Sequence, residues 1–372
     1  MRRILSRLAS FSALPLVSAL IPLLALPIVA RIGEVPGWAA LTIGQAVGGF
    51  AAAIAFAGWN VLGTPLVATA KDPAGQARLY DLSFSSRVVV LLAAAPLAAV
   101  IAALLSPESA RPTAVLAALS SAVTALGVSW FAVGVGSARL IAVYDLLPRL
   151  AATVVSIPIV VLTQRVEPYL IGLMLAPLLG LSVFHLRTRR RLFPPWAGFR
   201  AIVASYREHR AAWMVEITGN LSSSAPVPVA SLVGGTFAAA SFASGDRLYR
   251  YGLYAVVSFG NALQGWVLES TVSRARRNRF AIALMLTLGV VGGLGLALLG
   301  APLSAILFGE SVAAFQTALI WLGVAYAAVS ASTPLIRNVL IPARRERAVL
   351  AVTVVSAVIG IVTMATFGSM WG

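Results

Sequence analysis

Long apolar runs, separated by short polar or arginine-bearing connections, make up almost the whole chain. A helix needs about 20 mainly apolar residues to cross about 30 Å of hydrocarbon. On that measure eleven spans are expected, near 9–30, 38–58, 84–106, 113–135, 141–163, 167–186, 212–234, 247–268, 280–300, 313–336 and 347–368. The pattern predicts an all-α polytopic membrane protein. Its expected parts are an N-terminal six-helix lobe at 1–186, a basic inter-lobe loop at 187–210 and a C-terminal lobe of about five helices at 211–372. No connection between spans is long enough for a soluble domain.

Composition sharpens this picture. A hydrophobic content of 59% and a mean hydropathy of +0.92 exclude an ordinary soluble domain, which averages about 45–50% apolar. The formal charge of +16 would suggest nucleic acid in a soluble protein, but the arginines lie between spans, where topology explains them and no nucleic-acid partner is needed. Cationic loops resist translocation, so alternate sides of the membrane should differ in arginine content. With the N-terminus inside, the inner loops hold 22 basic residues, Arg87 and Arg344 among them, and the outer loops 5, with Arg149 inside a span. Seven of the 22 lie between Arg187 and Arg210. The expected location is therefore the inner (cytoplasmic) membrane, multi-pass, with the N-terminus cytoplasmic. The basic start, Met1-Arg-Arg-Ile-Leu-Ser-Arg, resembles a signal peptide, but its apolar run leads at once into further spans and reads as an uncleaved first span. The absence of cysteine excludes disulfides and thiolate metal sites. His185 and His209 are isolated, so neither a metal nor a cofactor is expected.

Two stretches repeat. The first span ends Pro27-Ile-Val-Ala-Arg-Ile-Gly33 before Trp38-Ala-Ala, and the seventh ends Pro228-Val-Ala-Ser-Leu-Val-Gly234 before Phe237-Ala-Ala. Both run outward, which predicts a parallel repeat of two halves about an axis along the membrane normal; chance similarity of two Ala-, Val- and Gly-rich stretches is the other reading. Six spans precede the central loop and five follow it, so a twelfth is expected to be absent from this chain.

Pro27–Gly33 resembles the first-helix signature of the Wzx-type polysaccharide and O-antigen flippases, within the multidrug/oligosaccharidyl-lipid/polysaccharide exporter superfamily. Ser129-Trp-Phe-Ala-Val-Gly-Val-Gly136, Ala239-Ala-Ser-Phe-Ala-Ser-Gly-Asp-Arg247 and Leu307-Phe-Gly-Glu310 are similar to that family at corresponding places. The resemblance implies two helical lobes around a central cavity. It also implies alternating access that carries an undecaprenyl-pyrophosphate-linked oligosaccharide to the outer leaflet for cell-surface polysaccharide biosynthesis, with membrane lipid and a polysaccharide polymerase or synthase as the partners to consider.

Such cargo requires a wet, cationic passage, and ionisable residues within spans are the candidates. Asp145 and Arg149 share a helical face, either as an ion pair neutralised for insertion or as a substrate-binding arginine with its counter-charge. Arg31, with Glu34 three residues on, reads as an interfacial anchor or as part of the cavity wall. Arg247 and Arg250, beside Asp246, share a face and break the inner-side bias, which suggests a cationic rim. Glu216, near Asn220, Ser222, Ser223 and Ser224, reads as an interfacial carboxylate or, with Asp145, as an ion-coupling group. Asn60, Asn261 and Gln264 are expected to tie helices together. Trp38, Trp59 and Trp130 fall near span ends, where interfacial anchoring is expected. The run Gly289-Val-Val-Gly-Gly-Leu-Gly295 permits close helix approach and lacks the strand and lysine of a phosphate loop.

Three functions follow. The flippase is favoured, with no enzymatic activity expected. An ion-coupled multidrug or small-molecule antiporter would share the fold but would favour acidic residues in its cavity. A membrane-embedded polysaccharide polymerase would normally present a larger external loop.

Overall fold

The computed structural model describes residues 2–268, 273–340, 343 and 345–371; Arg344 lies outside them. Among the described residues the chain is almost entirely helical, with no strand. Helix α1 (Arg2–Phe56) is followed by α2 (Trp59–Thr69), α3 (Pro73–Leu105), α4 (Arg111–Ala122), α5 (Ser129–Val135) and α6 (Ala138–Ile141). A π-helical turn at Ala142–Leu146 leads into α7 (Leu147–Thr163), and α8 (Glu167–Arg189), α9 (Phe199–Ser224) and α10 (Pro226–Leu268) follow. Beyond these lie α11 (Arg274–Phe308), α12 (Gln316–Leu335), a second π-helical turn at Ile336–Leu340, and α13 (Glu346–Trp371).

Eight stretches of the described residues are long and apolar enough to cross a membrane, and a shorter apolar helix covers Ala351–Thr366. The architecture fits a polytopic membrane protein. Exposed side chains agree with that: Leu92, Leu97 and Leu104 on α3, and Leu294, Leu298 and Ile306 on α11, would face water in a soluble protein and suit hydrocarbon. Two of the eight stretches, Ala25–Thr69 and Phe199–Asn261, each take in parts of two expected spans.

What separates those spans is one residue in each case. In α1 it is Glu34, at φ 49° and ψ −159°; in α10 it is Gly235, at φ 72° and ψ −166°. The turn at Glu34 is tight, since a Cβ added to Gly33 would lie 3.2 Å from the Trp38 backbone nitrogen. Glycine reaches this backbone region without steric cost, whereas a glutamate held there is strained by about 1–3 kcal/mol. Each kink immediately follows one of the two similar stretches, so Pro27–Gly33 and Pro228–Gly234 end on nearly the same backbone conformation.

The chain divides into two compact units, Met1–Thr236 with Ile361–Gly372, and Phe237–Gly360. In the first, α1 packs on α3 and α4, α7 on α8, and α9 on α1 and α2. With lipid outside there is little hydrophobic gain from helix association, so close backbone approach carries much of the attraction. Gly44 and Gly48 provide it: a Cβ would lie 2.3 Å from the Ala114 carbonyl oxygen and 2.1 Å from that of Ala118. Gly48→Ala is therefore expected to destabilise the protein by about 1–3 kcal/mol. A lower melting temperature of the detergent-solubilised protein would show it, and an unchanged one would mean that α1 and α4 do not meet there.

In the second unit the glycine-rich run lies against α12, where Gly293 and Gly323 would each place a Cβ 2.5 Å from the other's carbonyl oxygen. Asn261 and Gln264 reach the π-helical turn that follows α12, accepting from the Arg337 guanidinium and donating to its carbonyl, so these amides tie helices together.

Candidate functional site

The most heavily built polar region of the first unit surrounds Arg87. The charge count assigned this arginine to an inner loop, although it falls within the expected span at 84–106; the structure places it in a helix interior. Asp72 caps α3 by accepting from the Gly75 N–H at 2.6 Å, and Pro73 occupies the first turn, so the helix begins well before the apolar run and carries Arg87 in its interior. Arg87 is fully buried. Its partner is a break in the neighbouring helix: α4 tightens into a 3₁₀ turn at Val123–Leu126 and stops at Gly127, leaving carbonyls without intrahelical donors. Arg87 Nη1 donates to the carbonyls of Ala125 at 2.8 Å and Gly127 at 2.9 Å, and its guanidinium lies 5.4 Å from the centre of the Trp130 ring.

The tryptophan expectation fails here as well. Trp38, Trp59 and Trp130 are buried, and the last two meet at 5.8 Å within an aromatic core that includes Tyr80, Phe84 and Phe184. Alanines on α1, α3 and α4 leave the space that these rings fill, so packing rather than membrane anchoring places them.

Glu216 lies on the buried face of α9 with Ile202, Ser205, His209 and Ala212, a helical stripe. Asn60 and the Gly58 N–H lie beside its carboxylate, and Arg87 is the nearby cation, but neither carboxylate oxygen meets hydrogen-bond geometry with any described group. The polar neighbours expected from the sequence do not join it. The Asn220 amide donates to the Glu216 backbone carbonyl, Ser222 to Gly219 and Ser223 to Asn220, so they are satisfied along their own helix.

Asp145 and Arg149 are brought together as expected. Arg149 Nε donates to Asp145 Oδ1 at 2.8 Å, and the Ser129 hydroxyl donates to the other carboxylate oxygen at 3.0 Å. Asp145 belongs to the π-helical turn, a feature often found at functional sites. Gly180 of α8 presses on that turn, with an added Cβ only 2.0 Å from the Tyr144 carbonyl oxygen. The two polar groups are also connected in sequence: residues 125–130 accept from Arg87 at one end and donate to Asp145 through Ser129 at the other.

In the second unit Asp246 pairs with Arg250 one helical turn on, while Arg247 hydrogen-bonds the Tyr251 hydroxyl. The sequence placed Arg247 and Arg250 on one face as a rim; the structure gives them different partners. Arg31 is exposed on the turn of α1 just before the Glu34 kink.

A further cluster joins α3 to α8. Tyr80 OH and His185 Nε2 are 2.7 Å apart, and His185 Nδ1 lies 2.9 Å from the Leu192 carbonyl oxygen. The carbonyl can only accept, so Nδ1 carries a proton and Nε2 accepts from the tyrosine. Arg189 bridges to Asp81 at 3.1 Å and lies over the Tyr80 ring. Tyr80→Phe removes one hydrogen bond and orphans a buried ring nitrogen, so a loss of about 1–3 kcal/mol is expected, measured by chemical or thermal unfolding. An unchanged stability would show that this latch is not formed.

Searches of protein-family models, curated proteins and solved structures found no match to this chain. The side chains therefore carry the chemical argument. Among the described residues no cluster of His, Asp and Glu could hold a metal ion. What the arrangement offers is cations held inside apolar helices by single carboxylates, which suits recognition of an anion. Sequence reasoning found Arg149 but missed Arg87; the Asp72-Pro73 helix-start signal, followed across the expected span boundary, would have found it.

Proposed function

We propose that this protein is a flippase that carries an undecaprenyl-pyrophosphate-linked oligosaccharide across the cytoplasmic membrane by alternating access of two helical lobes, for cell-surface polysaccharide biosynthesis. Its N-terminus faces the cytoplasm in this reading. The observation that carries the proposal is that each compact unit holds an Asp–Arg pair one turn apart within an apolar stretch, Asp145–Arg149 and Asp246–Arg250. Arg149 uses only Nε on its aspartate, so its terminal amino groups can meet phosphate oxygens. The matching kinks at Glu34 and Gly235 support the internal repeat on which the family resemblance leans.

The antiporter reading draws on Glu216, a buried carboxylate that no arginine holds by a hydrogen bond. Proteoliposomes decide between them. Fluorescent undecaprenyl-pyrophosphate glycan is incorporated, and its appearance in the outer leaflet is followed with and without an imposed ion gradient. Movement of the glycan lipid supports the flippase. Export of a small organic cation without glycan movement supports the antiporter instead.

A further inference from the structure

We propose that the basic stretch from Arg187 to Arg210 forms a membrane-surface site for an anionic phospholipid bearing a singly charged phosphodiester headgroup, in the leaflet that this stretch faces. This stands apart from the transport reading and uses none of the residues assigned to it.

Residues 190–198 have no regular structure, yet their backbone is pinned to the first unit. The Leu192 carbonyl is held by His185, the Ala197 N–H donates to Ser85 Oγ at 3.2 Å, and Pro194 is buried. Against that fixed backbone the side chains of Phe193, Trp196 and Phe199 are 70%, 59% and 68% exposed. Three large aromatic residues held outward among arginines suit the interfacial layer, where rings sit at headgroup depth and guanidinium groups meet phosphate.

Helix α9 continues the surface. One side is committed inward through Ile202, Ser205 and His209, and the Tyr206 hydroxyl donates to the Ser86 carbonyl at 2.6 Å. The opposite side presents an open helix face formed by Phe199, Arg200, Val203, Ala204, Arg207 and Glu208. Arg200 and Arg207 flank a single carboxylate, Glu208, and Arg187, Arg190, Arg191 and Arg210 are exposed on the same stretch, so the surface is cationic and suits an anionic phosphodiester headgroup, while Phe199, Val203 and Ala204 provide an apolar surface for the glycerol and the first acyl carbons.

The full-length protein is reconstituted in phosphatidylcholine vesicles that contain a dibrominated lipid, either phosphatidylglycerol or phosphatidylcholine. Quenching of Trp196 is taken as the difference between the unmodified protein and Trp196→Phe. Each arginine at the surface is worth about a five-fold preference, so brominated phosphatidylglycerol is expected to quench Trp196 at a mole fraction lower by about five-fold or more. That preference should weaken as ionic strength rises and fall in Arg200→Gln/Arg207→Gln, both exposed substitutions. Equal quenching by the two lipids, or a preference undiminished by the double substitution, overturns the proposal. So does relief of quenching by equimolar undecaprenyl diphosphate, which would assign this surface to a transported lipid.

Discussion

Arg87→Ala is expected to reduce the folded protein recovered from membranes severely, with a loss of about 3–5 kcal/mol, the range for removing one partner from a buried charged network. The substitution leaves the carbonyls of Ala125 and Gly127 without their donor and opens a void against Trp130. Glu216 would also lose the cation beside it. Arg87→Lys is expected to recover little, because an ammonium group lacks the Nε that donates to the Ser83 carbonyl and the planar face that lies over the Trp130 ring. The measurement is the melting temperature of detergent-solubilised protein by fluorescence-detected gel filtration. A near-normal value for Arg87→Lys would mean that one cationic donor to the two carbonyls, rather than the planar guanidinium, is what this position supplies. The effect should extend further, since residues 125–130 run from the Arg87 acceptors to Ser129, the donor to Asp145. Partial unfolding in this variant would therefore also loosen the Asp145–Arg149 pair.

Arg149→Ala is expected to abolish glycan-lipid flipping in proteoliposomes while the protein still inserts. A charge-assisted hydrogen bond is worth about 1.5–3 kcal/mol, which corresponds to a loss of at least ten-fold in rate. Removing the arginine alone leaves Asp145 a poorly solvated charge with only Ser129 for support, so the informative companion is the electroneutral Asp145→Asn/Arg149→Gln. That double variant should be equally inactive and better folded. Arg149→Lys should retain part of the rate, because it keeps the charge and loses the fork. Normal flipping by the electroneutral variant would remove this pair from the transport path and reduce it to a device for neutralising two charges in the membrane.

These two arginines illustrate how far the sequence could be read. Arg149 was legible because its partner lies four residues away, and helical geometry alone brings them together. Arg87 was not, because its acceptors lie 38 and 40 positions on, in a break that only packing against α3 reveals. Counting every basic residue near a span end as loop charge also assigned Arg87 to a loop, although it lies inside the expected span at 84–106. The kink positions were half legible. Similar stretches marked them, but nothing in the sequence showed that Glu34 takes up the conformation that Gly235 adopts at no cost. Glu216 was visible as an unusual carboxylate, and its serine neighbours suggested a shared polar stripe that their local backbone hydrogen bonds rule out.

By itself, then, the sequence determined the helical membrane class, the basic stretch at 187–210 and the short-range charge pairs. Each follows from properties summed along the chain: run length against bilayer thickness, arginine spacing, and the 3.6-residue period. Only the tertiary structure decided which polar groups are buried and what they touch. It placed three tryptophans in buried positions that the interfacial rule would not assign, gave Arg87 to two distant carbonyls, and held Phe193 and Trp196 outward on a pinned backbone. The physical reason is common to all three. Burial and hydrogen-bond satisfaction depend on which helix faces meet, and with lipid outside, small residues such as Gly48 and Gly180 settle that by the close approach they allow.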